Sequence, residues 1–418
     1  MYKRIENFLK SQNCIKNSDG SYDVPGDIEI PDFLIVKQKL AVTFRRVEGS
    51  FKLEDLELAT LAGAPQYVGG HFIVRKNELK TLNGAPKYVG ASFQCQYNIL
   101  KSLAGCPAKI GGGFYCSHNM LTDLKHGPRE VGSTYDCSYN QLNNLMGCPE
   151  SILGDLNCSG NYISSLIGAP KSVKGVFNIT SNNLKTLIGC PVELNTFNCA
   201  CNELSTLNGC PIEIKGIFKC AYNCLRSLKG CAKKVGSFDC RRNRLHSLIG
   251  GPLTVERDYY CDENPLTSLK GAPQEISGTF SCENANLKSL IDGPQKVGRN
   301  FIVEKNKLHG LYGGPQEVGG NYHCDEQKTG KLRDFTWLPA KLGGELHCNH
   351  ITSKTIIPAK SLPALNRYEP KVRYIDWKDF HRSILDFRRW IPLDSRIRHI
   401  NLTPQQHKEL QMLSILQV

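Results

Sequence analysis

Between residues 47 and 350 apolar and polar positions recur with a rhythm that no single helix or strand would set. In Phe93-Gln-Cys-Gln-Tyr97 they alternate as in a half-buried strand, so Phe93 and Cys95 point to one side and Gln94 and Gln96 to the other. The alternation returns at Phe114-Tyr-Cys116 and Tyr135-Asp-Cys137, 21 residues apart. The inward aromatic column continues with one leucine, Leu156, as far as Tyr322. The column of smaller residues runs from Leu53 and Val74 through Cys95 to Cys348 and counts fifteen units. Two leucines in the pattern L-x-x-L follow each strand, as at Leu79 and Leu82.

Prolines mark the period. Pro65, Pro86, Pro107, Pro128, Pro149, Pro170 and Pro191 are each 21 residues apart, and Pro211, Pro252, Pro273, Pro294 and Pro315 continue the ruler with Ala232 in the vacant slot. The steps from Pro191 to Pro211 and from Ala232 to Pro252 are 20 residues because each lacks one residue of a Gly-Gly turn, which leaves the strand register intact. Val, Ile and Leu replace Cys within the small column, so the cysteines there are compact apolar packing groups. Asn follows three residues later, at 77, 98, 119 and onward to 306, where a short amide can bond main chain as it leaves the sheet. Gly and Pro between strands suit a tight return path without a long helix.

The run Val-Gly-Gly-x-Phe-x-Cys-x-x-Asn-x-Leu-x-Ser-Leu-x-Gly-x-Pro resembles the short, proline-marked leucine-rich repeats of bacterial effector proteins. It also resembles repeat proteins of tailed bacteriophages. The resemblance covers about residues 47 to 350 and implies a β-rich solenoid: a leucine-rich-repeat horseshoe with a parallel sheet, about 15 units of 20–21 residues, that binds a ligand on the displayed face of the sheet. Some such effectors carry an added ubiquitin-ligase domain with a nucleophilic cysteine. No cysteine follows Cys348 here, which speaks against that version.

Either side of the array the pattern changes. Residues 1–46 read as a small N-terminal cap, with an apolar start at Ile5, Phe8 and Leu9, a polar Asn-Ser-Asp-Gly-Ser turn, and strands near Val24 to Ile30 and Phe33 to Val42. After Cys324 a three-residue insertion falls around Gln327 to Lys331. Residues 351–418 read as a linker and a basic helical cap: Trp377, Phe380, Ile384 and Phe387 lie at helical spacing, and Thr403-Pro-Gln-Gln406 opens a second helix. Arg388, Arg389, Arg396 and Arg398 are either the solvated face of that cap or a basic docking element for nucleic acid, a membrane surface or an acidic partner.

Composition narrows the function. Apolar residues are 40% of the 418, no stretch is long enough to span a bilayer, and the N-terminus has no apolar signal core; the expectation is a cytoplasmic protein. An odd count of 19 cysteines, most at repeat-locked positions, fits reduced thiols better than a disulfide framework. Walker loops, H-E-x-x-H helices and G-x-S-x-G elbows are missing from the sequence, so an enzyme is not expected, nor a cofactor. Cys199-x-Cys201 has a metal-like spacing, but its first member belongs to the packing column, so the pair should diverge. His323 and His347 share a displayed column with Asp325 nearby, yet surface histidines are the simpler reading and no metal is expected.

The displayed positions flanking the cysteines separate two halves. Gln94/Gln96, Tyr115/Ser117, Asp136/Ser138, Asn157/Ser159, Asn178/Thr180 and Asn198/Ala200 are polar and nearly uncharged. Later, Asp262, Glu283, Glu304 and Asp325 form an acidic stripe on neighbouring strands, with Glu263 and Glu326 beside it. Like charges on adjacent strands repel, so the stripe suggests a cationic partner, with Tyr115, Tyr260 and His323 as further candidates on the same face; an exposed, solvated ladder is the alternative. The net charge of +13 is carried by turn lysines such as Lys80, Lys87, Lys109 and Lys171 and by the tail, which argues against nucleic acid along the sheet. The expected function is capture of a protein, with nucleic acid through the C-terminal tail as the alternative.

Overall fold

The computed structural model describes residues 2–328, 332 and 337–348, together with the backbone of 372–373. The chain divides into two compact units, residues 1–223 and 224–418. Both wind as a parallel-sheet β-solenoid, about fifteen turns in all. In the first unit Phe93–Gln94 pairs in register with Phe72–Ile73 on one side and Phe114–Tyr115 on the other. In the second, Phe280–Ser281 lies between Tyr259–Tyr260 and Phe301–Ile302. The ladder runs on past these short strands: the Cys95 N–H donates to the Tyr115 carbonyl at 2.8 Å and the Cys261 N–H to that of Ser281 at 2.9 Å.

The inward columns are the core. Phe93, Cys95, Leu100 and Leu103 are fully buried, as are their counterparts Phe280, Cys282, Leu287 and Leu290. Aromatic rings touch from turn to turn, for example Phe177 on Phe197 at 5.3 Å and Phe280 on Phe301 at 5.5 Å. Tyr135, Tyr259 and Tyr322 stand in this column with their larger rings fully buried. Each hydroxyl lies against a glycine eight residues earlier: a Cβ on Gly127, Gly251 or Gly314 would sit 3.2, 3.4 or 3.2 Å from it. Where the column holds Phe93 or Phe114, that earlier position holds Ala85 or Cys106. The hydroxyl is accommodated by deleting a methyl or thiol.

Two residues past the small column the backbone turns left-handed in one turn after another, with φ +57° at Lys76 and Tyr97 and +54° at Glu263. That reversal carries the next residue, the asparagine, under the sheet edge. Asn161 is buried; its Nδ2 donates to the carbonyls of Cys137 and Cys158, both at 3.1 Å, and its Oδ1 accepts the Leu142 N–H at 3.0 Å. Each amide therefore joins two turns and satisfies main-chain groups that would otherwise be buried unpaired. The expected insertion around Gln327 begins later than the spacing suggests. Gln327 fills the asparagine position itself, donating to Val303 and Cys324 carbonyls at 2.9 and 3.1 Å and accepting from Leu308 N–H at 3.1 Å.

The return path, which the sequence presents as a glycine turn, carries a second parallel ladder. In the first unit a seven-stranded sheet includes Phe44–Val47, Tyr67–Val68, Tyr88–Val89, Lys109–Ile110 and Glu130–Val131. Glycine between the ladders lets successive turns approach: a Cβ on Gly112 would lie 2.9 Å from the Ala91 carbonyl carbon. Where Lys174 or Lys215 replaces the first glycine, or a residue is deleted, the two short strands fuse. The longer strands Ser172–Asn178, Glu193–Asn198, Glu213–Lys219 and Lys234–Asp239 result. The first deletion is absorbed as a register shift between Val173 and Val176, after which Phe177 again faces Phe197.

At the N-terminus a helix, Tyr2–Ser11, buries Ile5 and Leu9, and Phe8 meets Phe33 edge-on at 5.8 Å. Parallel pairing starts before residue 47: Tyr22–Val24 joins Phe44–Val47, and Ile28–Glu29 joins Phe51–Lys52. The two strands expected between Val24 and Val42 are broken up. Pro25-Gly26 separates Val24 from Ile28, and Asp32–Leu34 is a 3-10 turn. A hairpin follows, Ile35–Val36 against Lys39–Leu40, closed by positive φ at both Lys37 and Gln38. At the other end Leu346–His347 pairs with Tyr322–His323 and with Val372–Arg373. The helices expected over 376–390 and after 403, and so the helical cap, lie outside the described residues.

Candidate binding face of the sheet

Alternation along each strand displays one residue before and one after the small column, and what these side chains do differs between the units. In the first, Glu54 is paired with Lys52 and Arg75, and the displayed side chains of the middle turns bond locally. The Asp136 carboxylate accepts from the N–H and hydroxyl of Ser138 at 3.0 and 2.6 Å. Asn157 does the same for Ser159, and Asn178 for Thr180. The Asn178 amide also donates to Asn157 Oδ1 at 3.1 Å, linking two turns. Tyr115 is half-buried, its ring lying back over Gly113, where a Cβ would come within 2.7 Å of Cε2. The ring thus packs against its own strand.

In the second unit charge takes over. Asp239 is buried and held by Arg241, whose Nε and a terminal nitrogen donate to its two oxygens at 2.9 and 2.8 Å. The same guanidinium lies 5.2 Å above the centre of the half-buried Tyr260 ring. Asp262 Oδ1 accepts from the Glu283 N–H at 2.7 Å and from the Ser281 hydroxyl. Burial nevertheless holds the Asp262 carboxyl above its ordinary range, with the Ser281 and Glu283 bonds pulling the other way. Burial also raises Glu304, helped by the carboxylates of Asp325 and Glu283. His323 is pushed down by burial and then by His347.

The structure brings Asp262, Glu283, Glu304, His323 and Asp325 onto successive strands of one face, as their spacing implies. It also supplies cations that the strand pattern does not reveal. Lys305 Nζ lies 2.7 Å from Glu283 and 3.7 Å from Glu326, and Arg242 Nε lies 2.8 Å from Glu263. Both belong to the left-handed position two residues past the small column, from which a long side chain reaches the face. The one sequence signal for that position is the occurrence there of Gly160 and Asn284, residues that tolerate positive φ. Part of the repulsion along the stripe is thus relieved by the chain's own lysine and arginine.

His323 and His347 do meet, with rings stacked 4.3 Å apart and 10° from parallel. Stacking turns their faces, not their nitrogen lone pairs, towards each other. His323 Nδ1 lies 3.4 Å from Glu304 and His347 Nε2 3.4 Å from Glu345. Among the described residues no group of three or more His, Cys, Asp or Glu is placed to hold a metal. Cys199 is buried and Cys201 exposed, so that pair diverges. Burial raises the thiols of Cys95, Cys199, Cys240 and Cys261 well above their ordinary value, which suits packing. No helix among the described residues is long and apolar enough to cross a membrane. Arg388, Arg389, Arg396 and Arg398 lie outside the described residues.

Stacked parallel strands, paired leucines and an asparagine ladder make a parallel-sheet solenoid consistent with a leucine-rich-repeat fold. Among solved structures the chain is similar to YopM from Yersinia enterocolitica, at 19% identity and a TM-score of 0.40, over 75% of this chain and 87% of that one. No family model matches the chain, and no curated protein does.

Proposed function

We propose that the chain is a non-enzymatic scaffold that captures a protein on the displayed face of its sheet, around Tyr260, Asp262, Glu283, Glu304, His323 and Asp325. The observation that carries this reading is the charge balance of four strands. From the residue before the small column to the left-handed position, they hold six carboxylates (Asp262, Glu263, Glu283, Glu304, Asp325 and Glu326) and one ammonium, Lys305. An acidic face on a chain of net charge +13 favours a partner that presents lysines or arginines. Tyr260, whose ring already lies below a guanidinium, offers apolar area beside the carboxylates. The repeat motif's resemblance supports a phage product acting on a host component in the cytoplasm.

The test compares the intact chain with a variant carrying Asp262→Ala, Glu283→Ala, Glu304→Ala and Asp325→Ala, after matching their circular dichroism. Both are measured against a lysine-rich peptide and used to capture protein from host lysate. The intact chain should bind the peptide and retain a protein that the variant loses. Equal retention by both sinks the acidic face. Retention of nuclease-sensitive material alone moves the function to the basic residues Arg388, Arg389, Arg396 and Arg398.

A further inference from the structure

Two histidines at the end of the acidic face are arranged so that its charge depends on pH. Of the eight displayed positions from Tyr260 to Asp325, His323 is the only histidine, and His347 follows it in register one turn on. Their rings are stacked 4.3 Å apart and 10° from parallel. That contact suits two neutral imidazoles, or one neutral and one charged, whereas two cations at that distance repel. Each ring has a carboxylate at its edge: Glu304 lies 3.4 Å from His323 Nδ1, and Glu345 lies 3.4 Å from His347 Nε2. Among the described residues no hydrogen bond reaches that buried Nε2, so a proton taken up there is held against Glu345.

The neighbouring charges act in both directions. Glu304 from the preceding turn and Asp325 from the same turn favour a proton on His323. Lys305, which also faces Glu283 and Glu326, competes for these carboxylates. Arg373 takes the register of His347 on the strand that follows. We propose that the His323–His347 pair is a proton-operated control on the acidic face: on mild acidification it takes up one proton, engages Glu304 and releases a cationic partner. The inference rests on the capture of a protein on this face, and it adds the condition under which that protein is let go. Proton and partner compete for the same carboxylates, so each weakens the other by the same factor. Binding therefore strengthens as pH rises, and a bound cation makes the pair harder to protonate. Burial, Asp325 and Glu283 hold Glu304 above the ordinary carboxylate range, which adds to the loss at the acid end.

The test follows binding of a lysine-rich peptide to the full chain at about pH 7.5 and about pH 5.5, at constant ionic strength, beside imidazole titrations by NMR. Lysine stays charged at both values, so any change lies in the chain. The wild type should bind about tenfold more weakly at the lower pH, and His323→Gln/His347→Gln only about twofold more weakly. Glutamine fits there, since Gln94 stands in the same column of another turn. In the NMR arm, His347→Gln should raise the titration midpoint of His323, His323→Gln should raise that of His347, and saturating peptide should lower both in the wild type. Histidines that titrate independently, or an equal pH-dependent loss in the wild type and the double variant, would overturn the proposal while leaving capture on the face intact. A peptide that binds at neither pH would overturn the capture reading, and the proposal with it.

Discussion

The two units share one frame and differ in what they hang on it. Asn161 in the first and Asn264 in the second make the same bonds: Asn264 donates to the Cys240 and Cys261 carbonyls at 3.0 and 3.1 Å and accepts the Leu245 N–H at 3.1 Å. The faces above these ladders are unlike. In the first unit, the displayed Asp136, Asn157 and Asn178 bond to hydroxyls of their own turn or to the next turn. In the second, carboxylates outnumber the cations that reach them. Since the inward columns, the backbone ladders and the asparagine amides recur in both units, the displayed positions vary over a common frame, and a difference there points to use more than to folding.

If the frame is shared, damage to it should cost the same in either unit. Asn161→Ala and Asn264→Ala each strip two carbonyls and an N–H of a buried partner, so each should destabilise its turns by about 3 kcal/mol. Urea melts, together with hydrogen exchange at the Leu142 and Leu245 amides, read this directly. Costs that differ severalfold would mean that the frames are not equivalent. A smaller effect should follow from the tyrosine pockets: Gly127→Ala places a methyl against the Tyr135 hydroxyl and Leu103, at a cost of about 2 kcal/mol. Adding Tyr135→Phe recreates the alanine–phenylalanine pairing of Ala85 and Phe93, and should recover most of that loss in a double-mutant cycle.

The smallest effect tests the faces. Because burial raises Asp262 in the folded chain, the native state binds that proton more tightly than the unfolded state does. Its ionisation therefore opposes folding above the folded value, and the penalty disappears as pH falls below the unfolded value of about 4. Asp262→Asn keeps the acceptor used by Glu283 and Ser281. It should raise the urea midpoint at neutral pH and leave it unchanged in acid. Asp136→Asn, at a displayed position in the first unit where the carboxylate accepts from Ser138, is the comparison. Equal gains at both sites would erase the contrast between the faces.

The frame was legible because repetition amplifies it. Fifteen occurrences of one small inward position leave little doubt about what faces in, and asparagine three residues later falls where only main chain can meet it. Gln327 was harder to place because a longer amide does the same work from a different residue type, and the irregular stretch beside it hides the register. The second ladder was obscured by its glycines, which allow close turns as readily as they allow bends. On the face, period-two alternation correctly brought the acidic residues together. It could not reveal Lys305 or Arg242, since those side chains arrive from a backbone position whose left-handed turn is set by geometry and only faintly marked in residue type. Nor does the strand pattern say that the Tyr115 ring lies over Gly113.

The thiols in the small column have one more consequence. A reagent that alkylates cysteine cannot reach Cys95, Cys137, Cys199, Cys261 or Cys324 while their turns are closed, whereas Cys201 stands in solvent. Each buried thiol is thus a clock for its own turn, starting only when that stretch of chain opens, and their spacing along the sequence lets fraying from the ends be told apart from rupture in the middle. What evolved as packing gives the molecule an internal record of where it comes apart first.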